Sequence, residues 1–188
     1  MTNDNDTTDA PALPRLTLVL GGARSGKSHY AETLVMRLAT ATATPPVYIA
    51  TAEAGDAEML ARIDEHQRRR DPVWTTVETL LGLDEALASH AHTDRPVLLD
   101  SLTLWLSNVM HAGLDVPGET EKLLLALDGA SAPIVCVSDE VGLGLVPDSA
   151  LGRQYRDALG RLNQRIAAQA DRVILVAAGL PLILKDVT

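Results

Sequence analysis

The stretch that decides the fold of this 188-residue chain reads Gly21-Gly22-Ala23-Arg24-Ser25-Gly26-Lys27-Ser28. It matches the phosphate-loop pattern G-x-x-x-x-G-K-[ST] at every fixed position. In such a loop the backbone N–H groups and the N-terminus of the following helix converge on an anion. Lys27 adds a positive charge for the outer phosphates, and the Ser28 hydroxyl can ligate Mg²⁺. We therefore expect a nucleoside triphosphate to bind here, with a chance glycine-rich turn as the alternative.

Apolar runs alternate with helical patterns along the rest of the chain. This order is typical of a parallel α/β sheet. The predicted strands are 16–20, 47–50, 73–77, 96–100, 134–138 and 172–177. The predicted helices are about 27–39, 56–70, 83–90, 103–110, 119–127 and 149–170. Together with the phosphate loop, this pattern predicts an α/β fold of the P-loop NTPase type (RecA-like). We expect a mostly parallel sheet with helices on both faces.

Composition limits the class of protein. The chain carries a formal net charge of −9 and 46% hydrophobic residues but no Phe, so Leu, Val, Ile and Ala must build the core. An acidic protein of this kind is not expected to bind nucleic acid through its overall field. The one cysteine, Cys136, lies in an apolar run, which indicates a small buried side chain rather than a disulfide.

The N-terminal segment, residues 1–14, differs in character from the rest. It is polar, acidic and proline-bearing, and we expect a disordered tail without the regions of a signal peptide. No apolar run approaches the roughly 20 residues of a membrane span. Residues 15–188 are expected to form a single domain of a soluble, cytoplasmic protein.

Several acidic and polar residues follow predicted strands, at the sheet edge where ligands bind in open α/β folds. Thr51, Ala52 and Glu53 follow the second strand, and Glu78 follows the third. Asp100 ends the buried fourth strand, a position typical of the acid on the Mg²⁺ side of a phosphate-loop site. The alternative is a helix cap or turn, a role that Ser101 could share.

The helix predicted after the second strand carries an unusual histidine. Arg62, His66 and Arg70 form one row at a spacing of four residues. Positive neighbours lower the pKa of a histidine, which keeps the imidazole neutral and nucleophilic at pH 7. The alternative is a solvated basic helix end that is favourable to the helix dipole. The other histidines have no such surroundings and are interpreted as surface residues: His29, His90, His92 and His111.

Several segments, taken in order, resemble one known family. They are the phosphate loop, Tyr48-Ile49-Ala50-Thr51-Ala52, Arg62-Ile63-x-x-His66, residues 98–108, Glu140-Val141-Gly142-x-Gly144-x-Val146-Pro147 and Gly160-Arg161-x-Asn163-Gln164. Over residues 15–185 the chain resembles the bifunctional adenosylcobinamide kinase / adenosylcobinamide-phosphate guanylyltransferase family of cobalamin biosynthesis. One departure is Ser101, where that family commonly carries cysteine.

The resemblance implies two reactions. A nucleoside triphosphate, ATP or GTP, first phosphorylates adenosylcobinamide with Mg²⁺ as cofactor. His66 then attacks the α-phosphate of GTP, and adenosylcobinamide phosphate takes the GMP to give adenosylcobinamide-GDP. The catalytic residues so implied are His66 and Lys27, and Ser28 and Asp100 face the metal. The implied nucleotide contacts are Gly21 to Ser28, Thr51, Ala52, Glu53, Arg62, Gln67, Arg68, Arg69, Arg70, Glu78 and Asp100.

The resemblance also implies a homotrimer, whereas the net charge and the short apolar runs predict neither nucleic acid nor a membrane as partner. The glycine-rich apolar loop at 139–147 is a candidate contact for the corrinoid or for another subunit. The base of the kinase step stays open among Glu78, Asp100 and Glu140. Two other functions are weighed against this one: a P-loop small-molecule kinase without the guanylyl step, and a P-loop regulatory switch.

Overall fold

The computed structural model describes residues 13–52, 72–91 and 94–187. Within these ranges the chain forms seven strands and five helices. The strands are β1 Leu16–Gly21, β2 Val47–Ala50, β3 Thr75–Glu78, β4 Val97–Asp100, β5 Ile134–Asp139, β6 Arg172–Ala177 and β7 Leu180–Asp186. The helices are α1 Lys27–Thr42, α2 Leu83–His90, α3 Leu102–His111, α4 Val116–Gly129 and α5 Ala150–Gln169.

The strands form one sheet in the order β3-β2-β4-β5-β1-β6-β7. All neighbouring pairs are parallel except β6 with β7, which are antiparallel. The phosphate-loop strand β1 therefore lies between β5 and β6, near the middle of the sheet. The carboxyl ends of the six parallel strands meet at one edge, where the loop follows β1.

The sheet is buried on both faces. Neighbouring residues of one strand point to opposite sides, and both Leu98 and Leu99 of β4 are fully buried. Leu99 packs in the cluster that contains residues of α2, α3, α4 and α5, whereas Leu98 packs in the cluster with Ala31 and Val35 of α1. The expected parallel sheet with helices on both faces is confirmed, and near-continuous apolar strands are the consequence of that double burial.

The strand β7 was missing from the sequence-based expectation, which ended the sheet at residue 177. Ala178 and Gly179 join β6 to β7 with φ values of 51° and 78°. Positive φ at both central residues is the geometry of a two-residue hairpin turn whose twist matches the strands. The sequence signal for this hairpin was Gly179 followed by an apolar run. Pro181 restricts such a run to an edge strand, and β7 is indeed the last strand of the sheet.

The other boundaries differ from the expected ones by a few residues. Strand β3 begins at Thr75 rather than at 73, and α4 begins at Val116 rather than at 119. The earlier start of α4 has a local cause, because the Asp115 carboxylate accepts a hydrogen bond from Gly118 N at 3.1 Å and caps the helix. The helix expected at 56–70 lies outside the described residues.

Cys136 is fully buried in β5, as predicted. Burial raises the pKa of the Cys136 thiol to about 12, so this side chain stays neutral and behaves as a small apolar residue.

Thr51 joins the carboxyl ends of β2 and β4. Its Oγ1 donates to the Ser101 carbonyl at 2.7 Å and accepts from the Ser101 N–H at 2.9 Å. Thr51 is fully buried, and its backbone N–H also donates to the Asp100 carbonyl at 3.3 Å. This side chain therefore satisfies buried backbone groups that the strands leave unpaired.

We expect Thr51→Val to lower the free energy of unfolding by about 1–3 kcal/mol, because the Ser101 N–H would be buried without its acceptor. The measurement is urea unfolding followed by circular dichroism. Thr42→Val is the matched control, since the Thr42 hydroxyl is exposed and bonds within its own helix, and a change below about 0.5 kcal/mol is expected there. Equal losses of unfolding free energy in the two variants would show that the Thr51–Ser101 hydrogen bonds do not stabilise the fold.

Candidate functional site

The phosphate loop connects β1 directly to α1. Gly26, the residue before the helix, has φ 93° and caps it without a side-chain hydrogen bond. The first N–H groups of a helix have no intrahelical acceptor, and the first turn of α1 contains no acidic side chain. This end of α1 therefore offers backbone donors and positive potential to an anion, as the sequence motif predicts.

Gly21 is a point of close approach between strands. It lies opposite Asp139 of β5 and Val176 of β6. A Cβ atom at Gly21 would lie 2.4 Å from Ser25 Oγ and 2.6 Å from the Val176 carbonyl oxygen. A side chain at this position would therefore push the loop away from the sheet.

The β6–β7 hairpin supports the loop from the other side. Gly179 N donates to the Ser25 carbonyl at 2.8 Å. A Cβ at Gly26 would lie 3.4 Å from the Gly179 Cα, so the two backbones are in contact. Within the described residues the buried Ser25 Oγ has no hydrogen-bond partner. The hairpin that the sequence analysis missed is thus part of the wall of the phosphate loop.

Lys27 is folded back toward the protein. Its Nζ forms an ion pair with the Asp139 carboxylate and donates to the Gly22 carbonyl at 3.3 Å. The two side chains are 13% and 26% exposed, which makes this a partly shielded pair. A triphosphate that binds in the loop must compete with Asp139 for the Lys27 ammonium.

The backbone of Asp139 is held in position by Thr103 and Asn163, and Tyr155 supports Thr103 in turn. The Asp139 N–H donates to Thr103 Oγ1 at 2.7 Å, and its carbonyl accepts from Asn163 Nδ2 at 3.0 Å. Tyr155 donates its hydroxyl to the Thr103 carbonyl at 3.0 Å. Burial, with a smaller contribution from the Asp139 charge, raises the pKa of Tyr155, so this hydroxyl stays a neutral donor.

Asp139 was predicted only as the first residue of the candidate contact loop at 139–147, and not as part of the nucleotide site. The signal was present, because Asp139 ends a buried apolar strand in the same way as Asp100. What the sequence could not supply is the strand order, which places β5 rather than β4 beside β1. The acid nearest the loop lysine is therefore the one that ends β5.

Asp100 lies at the carboxyl end of β4, one strand further from the loop. Its Oδ2 accepts a hydrogen bond from the Tyr48 hydroxyl at 2.9 Å, and Tyr48 is 2% exposed. Ser101 rather than Asp100 caps α3, since Ser101 Oγ accepts from Leu104 N at 3.3 Å. Helix capping, the alternative role considered for Asp100, therefore belongs to Ser101. The Asp100 carboxylate lies at the carboxyl ends of the parallel strands, on the side of the sheet where the phosphate loop lies.

Two further predicted contacts lie at the same edge. Ala52 follows the carboxyl end of β2, and Glu78 ends β3 with its side chain exposed. The Thr51 hydroxyl is occupied by Ser101, so a contact between Thr51 and a nucleotide stays a prediction. The remaining predicted residues lie outside the described ranges: Glu53, Arg62, His66, Gln67, Arg68, Arg69 and Arg70.

A magnesium ion is implied by the phosphate loop, and the donor atoms fit it. Ser28 and Asp100 offer hydroxyl and carboxylate oxygens, the ligands that Mg²⁺ prefers. Residues 13–52, 72–91 and 94–187 contain no group of three His, Cys, Asp or Glu side chains that could hold a metal. In a phosphate loop, phosphate and water supply further ligands of Mg²⁺.

Among the described helices, none is long and apolar enough to cross a membrane.

Comparison with known proteins gives a consistent result. The family model described as Cobinamide kinase / cobinamide phosphate guanyltransferase matches residues 17–184. The bifunctional adenosylcobalamin biosynthesis protein CobP of Pseudomonas aeruginosa is 48% identical over 172 residues, which cover 89% of this chain and 96% of the relative. The protein CobU of Escherichia coli, described in the same words, is 37% identical over 180 residues, which cover 88% and 97%.

One solved structure supports the fold alone. The flagellar accessory protein FlaH from Methanocaldococcus jannaschii superposes with a TM-score of 0.52 at 14% identity. The match covers 93% of this chain and 80% of that chain. The α/β fold of the P-loop NTPase type is confirmed.

Gly21→Ala is expected to lower the free energy of unfolding by about 1–3 kcal/mol through overpacking against Ser25 and Val176. The neighbouring Gly22→Ala is the control, because a Cβ there meets no atom within 4 Å. Thermal or urea unfolding of both variants without nucleotide tests this difference. A Gly21→Ala protein as stable as wild type would show that the close approach is not a constraint.

Asp139→Asn is expected to tighten nucleotide binding by about three- to tenfold, since it removes a negative charge that competes for Lys27. Isothermal titration with ATP and with GTP measures the affinity. Asp157→Asn removes the same charge from an exposed part of α5 and is expected to leave the affinity unchanged. Weaker binding in Asp139→Asn would mean that Asp139 supports the nucleotide rather than competing with it.

Proposed function

The chain belongs to the cobinamide kinase / cobinamide phosphate guanyltransferase family, and we propose that it performs two successive transfers on adenosylcobinamide. A nucleoside triphosphate phosphorylates the aminopropanol hydroxyl, and GMP from GTP is then joined to the new phosphate. The observation that carries this proposal is the phosphate loop with Lys27 at the start of α1, in a chain that matches the family over residues 17–184. The product is adenosylcobinamide-GDP.

In the first reaction the substrate hydroxyl oxygen bonds to the γ-phosphorus, and the bond from that phosphorus to the β–γ bridging oxygen breaks. The hydroxyl proton leaves to solvent or to an acidic side chain, and the nucleoside diphosphate is released. Lys27 and the N–H groups of residues 21–28 hold the outer phosphates, which is the main catalytic contribution in phosphoryl transfer. Ser28 and Asp100 would hold Mg²⁺, which neutralises charge on the β- and γ-phosphates.

In the second reaction the His66 imidazole bonds to the α-phosphorus of GTP, and pyrophosphate leaves. The resulting phosphoramidate links GMP to His66. A phosphate oxygen of adenosylcobinamide phosphate then bonds to the same phosphorus, and the bond to the imidazole breaks. Covalent catalysis divides one difficult transfer into two easier ones.

Positive charge near the histidine supports this chemistry. Arg62 and Arg70 lie four residues before and after His66 in the sequence. Guanidinium groups bind phosphate oxygens in a bidentate manner and stabilise the charge that develops on phosphorus. We propose that the other nucleotide contacts come from Gly21 to Ser28, Thr51, Ala52, Glu53, Gln67, Arg68, Arg69, Glu78 and Asp100.

We further propose that the protein works in the cytoplasm as a homotrimer of single-domain chains spanning 15–188. The exposed edge of β7 supports self-association. Leu180 is 71% exposed, and Leu182, Ile183 and Leu184 are each more than half exposed. The unpaired backbone groups of an exposed apolar edge strand can form hydrogen bonds with a strand of another chain.

Incubation with GTP labelled on the α-phosphate tests the covalent step. We expect an acid-labile label on the wild-type protein and none on His66→Ala, because the label resides on the imidazole. His90→Ala, the control, should be labelled like wild type. His66→Ala should still phosphorylate adenosylcobinamide. A wild-type protein that phosphorylates but never takes the label would be a kinase without the guanylyl step.

The oligomeric state is measured by light scattering after gel filtration. We expect a mass three times that of the 20.0 kDa chain. Leu182→Lys combined with Leu184→Lys should reduce this mass, because charge at the edge strand opposes pairing. A trimer that is unaffected by both charges would exclude β7 from the interface.

A further inference from the structure

A second exposed apolar surface follows β5, the strand beside β1, and its first residue, Glu140, donates its N–H to the Gly21 carbonyl at 3.1 Å. It belongs to the segment between β5 and α5, residues 140–147, which we call the apolar loop. Leu143 is 83% exposed, Leu145 96% and Val146 64%. Leu151, in the first turn of α5, is 57% exposed. Large apolar side chains that are exposed next to one another mark a binding surface.

The apolar loop is held in place by its own polar contacts. Glu140 Oε1 accepts from Gly142 N at 2.7 Å. Arg153 Nη1 donates to the carbonyls of Pro147 at 3.0 Å and Asp148 at 2.7 Å. The backbone is therefore anchored at both ends while the leucine side chains remain in water.

A cavity of about 300 Å³ opens at the end of this surface. Leu151 lines it together with Met110 and Tyr155. Tyr155 bonds to Thr103, and Thr103 in turn accepts from Asp139 N. The wall of the cavity is thus linked through Thr103 to the backbone of Asp139, the residue whose carboxylate pairs with Lys27.

Chain length limits how far this surface can lie from the transferred phosphate. Leu143 is four residues after Asp139, and Val146 is seven. Even a fully extended chain would place their Cα atoms within about 14 Å and 25 Å of the Asp139 Cα. The apolar loop is consequently within reach of a large substrate whose reacting hydroxyl meets the γ-phosphate near Lys27.

We propose that the apolar loop and Leu151 contact the ring carbons and methyl groups of the corrinoid. This inference rests on the proposed function, which supplies the substrate class: a large macrocycle with the reacting hydroxyl on a flexible side chain. The ring packs on Leu143, Leu145 and Val146, and part of its periphery enters the cavity beside Leu151. The side chain then carries the hydroxyl toward Lys27.

A second copy of the chain fits this surface less well. The apolar loop has no strand edge with which another chain could pair, whereas β7 has one. The loop also continues directly from Asp139, at the point where the phosphoryl group and the hydroxyl must meet. Its position favours a substrate over a subunit.

The test is direct binding of adenosylcobinamide to the full-length protein by equilibrium dialysis, which needs no turnover. Leu143→Ser combined with Leu145→Ser should weaken corrinoid binding by roughly ten- to hundredfold, the effect of losing one or two buried leucines. The affinity for GTP and the mass in solution should not change. Leu125→Ser, which changes a 73% exposed leucine on α4, is the matched control and should bind like wild type.

Two results would overturn the proposal. Corrinoid affinity within twofold of wild type would exclude the apolar loop from the substrate site. If the Leu143→Ser, Leu145→Ser variant has a lower molecular mass, and if it binds the corrinoid less well only to the extent that it dissociates, the loop belongs to a subunit interface. A wild-type protein that binds the corrinoid but does not phosphorylate it would count against the proposed function and leave the binding surface standing.

Discussion

The structure depends on the absence of a side chain at Gly21. Three strands, β5, β1 and β6, end beside one another, and the loop that follows β1 must turn within the space between the Ser25 hydroxyl and the Val176 carbonyl. Because this space excludes even a Cβ atom, the loop backbone can stay close to the sheet. The β6–β7 hairpin closes the other side through the bond from Gly179 to the Ser25 carbonyl.

An anion that binds this acidic protein at the phosphate loop must be held by the local arrangement of charges and N–H groups. The net charge of −9 repels polyphosphates at long range. The N-terminus of α1 and the Lys27 ammonium reverse that potential over a few ångströms. Asp139 pairs with the ammonium, so a phosphate that binds in the loop would have to compete with this carboxylate for Lys27.

The sequence was sufficient for the fold class and for the phosphate loop, since both follow from periodicity and from one motif whose chemistry is local. It was not sufficient for β7, because Pro181 and a short apolar run do not reveal whether a sheet edge is available. Nor did it single out Asp139, whose importance depends on β5 inserting between β4 and β1. The role of Thr51 as a link between β2 and β4 is likewise a property of strand order. The sequence suggested a ligand contact at Thr51 from its position after the second strand and from the family resemblance.

We propose that the phosphate loop, which holds the outer phosphates in the kinase reaction, also holds the β- and γ-phosphates of GTP while His66 takes the GMP. Lys27→Met tests it most directly, with phosphorylation of adenosylcobinamide and covalent labelling by α-labelled GTP measured on the same preparation. Both rates are expected to fall by a similar factor, about 100-fold or more, because each reaction loses the ammonium group that neutralises the outer phosphates. If one rate falls while the other is unchanged, the two reactions use different phosphate sites and the claim is wrong.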